Sequence, residues 1–242
     1  MNIEAMDRAG RGDEEQIPRR VAAHAALADP ARLRIVDLLG LGDASSSELA
    51  ATLGMPSNLL AHHTAVLQAA GLVAHRRSDA DRRRSYLTLV PEGLPAPISS
   101  PMLVVRRVLF VCTANTARSQ LAAALWRSRS RIPATSAGTH PAQQVDPGAV
   151  RAAERHQLRL PRRRPRRLDQ VQQDHDLIIT VCDKAHEELA GSDGLHWSLR
   201  DPVLIGTAAE FDHTVTELAE RIGQLAPRLQ RVGQQPESRR TR

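Results

Sequence analysis

"VLFVCTANTARSQLAAALW" occupies residues 108–126. It opens on an unbroken apolar run, Val108–Val111, and closes on a helix-forming run from Arg118. A buried strand that passes through a short loop into a helix is half of a βαβ unit, so this stretch predicts a parallel sheet covered by helices. The loop Cys112–Arg118 then lies at the carboxyl end of a strand, where open α/β sheets meet their ligands. Its residues, Cys112, Thr113, Ala114, Asn115, Thr116, Ala117 and Arg118, followed by Ser119, offer backbone N–H groups and a helix start to an anion. The same field favours the thiolate of a cysteine placed there. Arg118 can grip two oxygens of a tetrahedral oxyanion in fork geometry. Ser119 can donate to the thiolate, and Asn115 tolerates a left-handed turn.

Outward from this stretch the alternation continues. "MLVVRRVLFV" reads as one buried strand run and "DLIITV" (176–181) as another. "SQLAAALWRS", "PGAVRAAERHQ" and "FDHTVTELAERIGQLAPRLQRV" read as helices between or after them. Cys182 follows the second strand and so emerges at the same sheet edge as Cys112. Asp201, in "WSLRDPV", sits on a loop after a further strand. An oxyanion seated over Cys112 places its central atom in line with the sulfur, and attack gives a covalent thio-ester. Asp201 is the candidate general acid for the leaving oxygen. "RLPRRRPRR" (159–167) reads as a solvated loop.

"PEGLPAPISSP" (91–101) has four prolines in eleven residues and cannot lie inside a helix or a central strand. It places a linker at 91–104, between a first domain at 19–90 and a second at 105–232, with disordered tails at 1–18 and 233–242. In the first domain, "ALADPARLRIVDLLG" is a helix opened by Asp29-Pro30 and stopped at Gly40. "ASSSELAATLG" is a short helix with a serine cap, and a third helix follows Pro56. In that third helix Leu60, Thr64 and Leu67 face inward, leaving Ser57, Asn58, Ala61 and His62 outside. The pair fits a helix-turn-helix whose second helix meets a major groove. "LVAHRRSDADRRRSYLTLV" (72–90) reads as a hairpin wing whose Arg76, Arg77, Arg82, Arg83 and Arg84 reach phosphates or the minor groove.

Composition sets the outer limits. The chain has 242 residues, 41% of them hydrophobic, but only 2% aromatic, so its cores are aliphatic. The net charge of +6 is nearly all arginine, Lys184 being the only lysine. Two cysteines make no disulfide framework, no stretch has the form of a signal peptide, and no apolar run approaches a membrane span of about 20 residues. The expectation is a cytoplasmic protein with reduced thiols and no membrane partner. His62 and His63 are adjacent on one helix and cannot chelate together, and the remaining histidines show no ligand spacing. No metal and no cofactor is expected.

Two resemblances carry these readings further. "LADPARLRIV", "ELA…LG", "AHHTAVLQAAGLV" and the Arg-rich hairpin resemble the winged-helix domain of ArsR-type regulators. That implies a homodimer on double-stranded DNA with an inverted-repeat operator. "SELAATL" carries none of the cysteines by which many such regulators sense metals. "VLFVCTANTARSQ", "ATSAGTHPA", "DLIITVCDKAHEEL" and "RDPV" resemble the low-molecular-weight protein-tyrosine phosphatase family, which includes a branch of arsenate reductases. That implies an α/β fold with a four-stranded parallel sheet in flavodoxin-like order. It also implies Cys112 as nucleophile, Arg118 as oxyanion clamp and Asp201 as general acid.

Val203 stands after Asp201-Pro202, where the phosphatase branch usually has an aromatic residue. Cys182 resembles the resolving cysteine of the reductases, but Leu189 stands where a third thiol completes their relay. A low-molecular-weight thiol or a redoxin is then the expected reductant. Three functions remain open: a regulator fused to an arsenate reductase, a tyrosine or small-ester phosphatase with the same nucleophile, and a regulator that only senses arsenate or phosphate.

Overall fold

In a computed structural model, the structure describes residues 17–94, 103–161, 164–189 and 194–232. Two compact units change over between residues 94 and 103, with Asp79–Asp81 belonging to the second. The expected tails at 1–16 and 233–242, and most of the expected linker (95–102), lie outside the described residues.

The first unit holds helix α1 (residues 17–27), α2 (Pro30–Leu39), strand β1 (Ala44–Ser45), α3 (Ser46–Leu53), α4 (Ser57–Ala69), β2 (Val73–Arg77) and β3 (Ser85–Leu89). Each helix start has a local cause. Asp29 accepts hydrogen bonds from Ala31 N (2.8 Å) and Arg32 N (3.0 Å), with Pro30 in the first turn. Ser45 and Glu48 form a reciprocal capping box on α3. Gly54, at φ 61°, ends that helix in the left-handed conformation glycine adopts most readily. Thr64 turns its hydroxyl back to Leu60 O (3.0 Å), which satisfies a polar group facing the core. The three strands form an antiparallel sheet in the order β1-β3-β2, with Val73 opposite Leu89 and Arg77 opposite Ser85. Ile35, Val36, Leu49, Leu60, Leu67, Leu72 and Leu87 make the core. Each such side chain contributes about 1.5–3 kcal/mol by leaving water. Ile17 and Pro18, assigned from sequence to the first tail, are the opening described residues of α1.

The second unit runs β4 (Leu103–Val105), β5 (Arg107–Cys112), α5 (Arg118–Arg129), β6 (Ala134–Gly138), α6 (Pro147–Arg155), α7 (Leu168–Val171), β7 (Asp176–Thr180), α8 (Asp183–Glu188), β8 (Leu195–His196), α9 (Pro202–Ile205), α10 (Ala208–Leu225) and β9 (Leu229–Arg231). Its main sheet is parallel and four-stranded, in the order β6-β5-β7-β8. This is the flavodoxin-like order, with β5 central and every residue from Val108 to Cys112 buried. Phe110 packs against Trp126 of α5 and Trp197, at ring separations of 5.9 and 5.7 Å.

Three sequence readings need correction. "MLVVRRVLFV" is not one strand: the chain breaks at Arg106, and β4 pairs with β9 in a separate two-stranded sheet. Val104 is 64% exposed there, because that small sheet is open to solvent on one face. Leu103 and Val104, assigned to the linker, therefore belong to a strand. The last helix does not reach Val232: Pro227 carries no N–H to continue it, and the chain passes through a 3-10 turn into β9.

Candidate functional site

The loop between β5 and α5 is fixed from both sides. Along one flank, four of its carbonyls accept from the next connection: Cys112 O from Thr139 N, Thr113 O from His140 N, Ala114 O from Ala142 N and Thr116 O from Asp146 N, at 2.9–3.2 Å. Carbonyls turned to that flank leave the opposite side of the loop to N–H groups. Asn115 N donates to Cys112 Sγ at 3.2 Å.

Asn115 is the keystone of the loop. Its φ of 54° is left-handed, as its residue type permits. It is buried, so each polar atom must be satisfied, and each is. Nδ2 donates to Ser119 Oγ (2.8 Å), while Oδ1 accepts from Gln120 Nε2 (3.1 Å) and Arg166 N (3.1 Å). Ser119 Oγ lies 3.1 Å from Cys112 Sγ. Since that oxygen already accepts from Asn115, its own hydrogen is available to the sulfur.

Arg118 is buried at the far rim. Its Nη1 donates to Leu199 O (3.0 Å) and its Nη2 to Asp201 Oδ2 (2.6 Å). Asp201 caps α9, accepting from Val203 N at 3.1 Å. Cys182 caps α8: its Sγ accepts from Ala185 N (3.4 Å) and lies 3.4 Å from Thr113 Oγ1. Burial pushes the Cys182 thiol up from its ordinary value and Cys112 pushes it the same way, against Arg118 and the two hydrogen bonds. Cys112, Arg118, Cys182, Asp183, Lys184, Asp201, Val203 and Leu204 line one pocket. Thr113, Ala114, Thr116 and Ala117 complete its wall.

The structure thus gathers the sequence-selected residues of this domain around a single cavity, with Asn115 and Ser119 buried behind its loop, and it adds four that sequence reasoning missed. Gly138 ends β6 where a Cβ would meet Thr113 O at 2.6 Å, so only glycine allows so close an approach. Gln120 braces Asn115, and nothing in its place in the sequence signals that. Lys184 was visible as the only lysine but had been given no role. Arg166 corrects the reading of "RLPRRRPRR" as solvated. Its backbone holds Asn115 and Gly138, and its guanidinium reaches Thr135 Oγ1 at 2.6 Å. Arg162 and Arg163 of that run lie outside the described residues.

In the first unit, Ser57, Asn58, Ala61 and His62 are exposed on one side of α4, opposite buried Leu60, Thr64 and Leu67. Arg77, Arg82, Arg83 and Arg84 are exposed on the wing, and Arg76 is half-buried. Among the described residues no group of His, Cys, Asp or Glu side chains is placed to hold a metal ion. Nor is any described helix long and apolar enough to cross a membrane.

Comparison with known proteins follows the same division. The family model for low molecular weight phosphotyrosine protein phosphatase matches residues 107–235, and that for a helix-turn-helix domain matches residues 27–76. An arsenate reductase from Archaeoglobus fulgidus is similar at 32% identity, over 50% of this chain and 98% of that one, with a TM-score of 0.43. A YwlE mutant from Bacillus subtilis is similar at 25% identity, over 50% and 96%, with a TM-score of 0.41. The tyrosine phosphatase amsI from Erwinia amylovora is similar at 22% identity, over 50% and 90%, with a TM-score of 0.43. No curated protein matches the chain.

Proposed function

The chain belongs to the low molecular weight phosphotyrosine protein phosphatase family, and from that premise we propose that its second unit is a thiol-dependent arsenate reductase attached to a DNA-binding transcriptional regulator. The observation that carries the redox reading is the pair of thiols, Cys112 and Cys182, lining one pocket with Arg118.

Arsenate takes Arg118 Nη2 from Asp201 and sits over the N–H face of the loop. Cys112 sulfur attacks arsenic, an As–S bond forms, and one oxygen leaves as water with a proton from Asp201. Cys182 then gives its proton to the Asp201 carboxylate left by the first step, and its sulfur attacks Cys112 sulfur. An S–S bond forms, the As–S bond breaks, and its electron pair stays on arsenic, which leaves as arsenite. Two thiols have lost two electrons and arsenic has gained them. A low-molecular-weight thiol or a redoxin restores the dithiol. The rise in Cys182 from burial keeps it a thiol until arsenate chemistry begins, and Arg118, Thr113 and Ala185 are the groups that stabilise its thiolate.

Phosphatase action on small esters is the second reading, because Cys112, Arg118 and Asp201 suffice for it. Aromatic esters are disfavoured by a specific observation. All five aromatic residues of the chain, Tyr86, Phe110, Trp126, Trp197 and Phe211, are buried. The pocket mouth is aliphatic instead, at Val203 and Leu204. In the regulator, the exposed side chains of α4 read an inverted-repeat operator as part of a homodimer, and the wing arginines hold phosphates.

The deciding experiment is one turnover of arsenate without added reductant. The expected product is a Cys112–Cys182 disulfide, about 2 Da lighter than the dithiol, together with arsenite. Two free thiols afterwards, with p-nitrophenyl phosphate still hydrolysed, would return the enzyme to the phosphatase reading.

A further inference from the structure

Behind Cys182 lies a buried polar chain that the mechanism above does not use. Asp183 and His196 are each 1% exposed in their side chains, and His196 Nε2 meets Asp183 Oδ1 at 3.1 Å. On its other side His196 Nδ1 meets Thr180 Oγ1 at 2.9 Å. Thr180 Oγ1 in turn lies 3.3 Å from Leu195 O and 3.4 Å from His186 Nδ1. The His186 ring stacks on His196 at 4.1 Å, nearly parallel. Thus β7, β8 and α8 meet in one hydrogen-bonded cluster.

The protonation pattern follows from the partners. Burial works against ionisation of Asp183, but hydrogen bonds from His196, Asp79 N (2.7 Å) and Ser198 outweigh it and hold its carboxyl below the usual value. Asp183 is then an acceptor only, so His196 Nε2 must carry a hydrogen. His196 Nδ1 faces a hydroxyl, which donates to it or accepts from it as the ring's charge requires. Breaking the Nε2 bond takes one donor from a buried carboxylate that keeps Asp79 N (2.7 Å) and Ser198; breaking the Nδ1 bond leaves Thr180, a neutral hydroxyl, two other neighbours. The two halves of the cluster are therefore unequal in charge, and the Asp183 half is the one that belongs to α8.

Asp183 stands in the first turn of α8. Asp183 follows Cys182 directly, and that turn presents Ala185 N to Cys182 Sγ. We propose that His196 is a positioning residue for the Cys182 thiol, acting through its Nε2–H bond to Asp183. This rests on the reading of Cys182 as the resolving thiol. A cap worth one hydrogen bond to sulfur favours the thiolate. Its loss leaves only Arg118 and Thr113 to favour the Cys182 thiolate against burial and Cys112.

Histidine can be divided by substitution: asparagine reaches where Nδ1 was, and glutamine where Nε2 was. The test uses the full chain carrying Cys112→Ser, and it follows alkylation of Cys182 by iodoacetamide against pH by mass spectrometry. His196→Asn, which keeps the Thr180 side, is expected to raise the midpoint by about 1 pH unit and slow alkylation at pH 7 about tenfold. His196→Gln, which keeps the Asp183 side, is expected to restore the profile to within a factor of two. Near-ultraviolet circular dichroism confirms that each variant is folded. Equal profiles for the two variants, a better profile for asparagine, or no change in either would overturn the proposal. If neither variant folds, the same comparison with Asp183→Asn, which keeps an acceptor for Nε2–H, should stay within a factor of two of the parent. A larger shift there would count against the hydrogen bond as the cause. No arm uses arsenate, so failure of the reductase reading, seen as free thiols after arsenate turnover, is scored separately.

Discussion

At the scale of the residue, the site works by placing few groups and satisfying each of them. Cys112 sulfur has Asn115 N–H at 3.2 Å and Ser119 Oγ at 3.1 Å. Neither contact needs the sulfur itself, so Cys112→Ser is expected to keep the loop, bind phosphate or arsenate, and lose turnover. Arg118→Ala is expected to lose both binding and turnover, since no other described side chain in the pocket offers an arginine fork. Isothermal titration with phosphate beside a p-nitrophenyl phosphate assay separates the two. Lys184 is a solvent-exposed cation on the pocket wall. Lys184→Ala is expected to raise KM for an anionic substrate several-fold with kcat nearly unchanged, and to weaken the salt dependence of kcat/KM, because it guides the anion and does not touch the reacting atoms. Equal loss in kcat would move Lys184 into the chemistry.

At the scale of the element, short segments act through their ends. The capping box opens α3, the helix before α4, and Ser45→Ala is expected to cost about 1 kcal/mol in a denaturant titration. On the proposed reading, the exposed face of α4 and the wing divide the work on DNA. Removing one phosphate contact, as in Arg83→Ala, should reduce the slope of log affinity against log salt by about 1. Asn58→Ala or His62→Ala should change sequence preference instead. Gel-shift titrations on the region upstream of its own gene, at several salt concentrations, distinguish these. Affinity no greater than for random duplex would sink the regulator half of the proposal.

At the scale of the whole molecule, ligand and pH act on stability through buried charged groups of the second unit, Arg118 and Asp183. Phosphate that binds only the folded protein stabilises it by about 2.7 kcal/mol at a hundred times its Kd. The melting temperature of the Cys112→Ser protein should therefore rise with phosphate, and that of Arg118→Ala should not. Asp183 is held below its ordinary value when folded, despite burial, by His196, Asp79 N and Ser198. Its contribution is complete above the unfolded-state carboxylate value and is withdrawn as pH falls through the lower folded one. Asp183→Asn should flatten the acid limb of stability against pH, measured by urea titration from neutral pH downward. An unchanged limb would mean that the carboxylate is not the group being lost.

Much of this protein was determined by local sequence. The βα junction at 108–126, the Asp29 and Ser45 caps, the stop at Gly54 and the inward face of α4 each depend on residues within a few positions of one another, where backbone sterics and capping act. That is why the parallel sheet, the helix-turn-helix and the placing of Cys112 and Arg118 on one strand-to-helix loop were legible. The break at Arg106 was not legible: whether an apolar run pairs with the main sheet or with β9 depends on a partner more than a hundred residues away. Nor were the brace on Asn115 from Arg166, the contact that makes Gly138 necessary, or the pairing of Asp183 with His196. In each, a polar or crowded group is buried by distant chain and must find its partner there. Sequence places such residues in order along the chain, and only the packed sheet brings them within hydrogen-bonding distance.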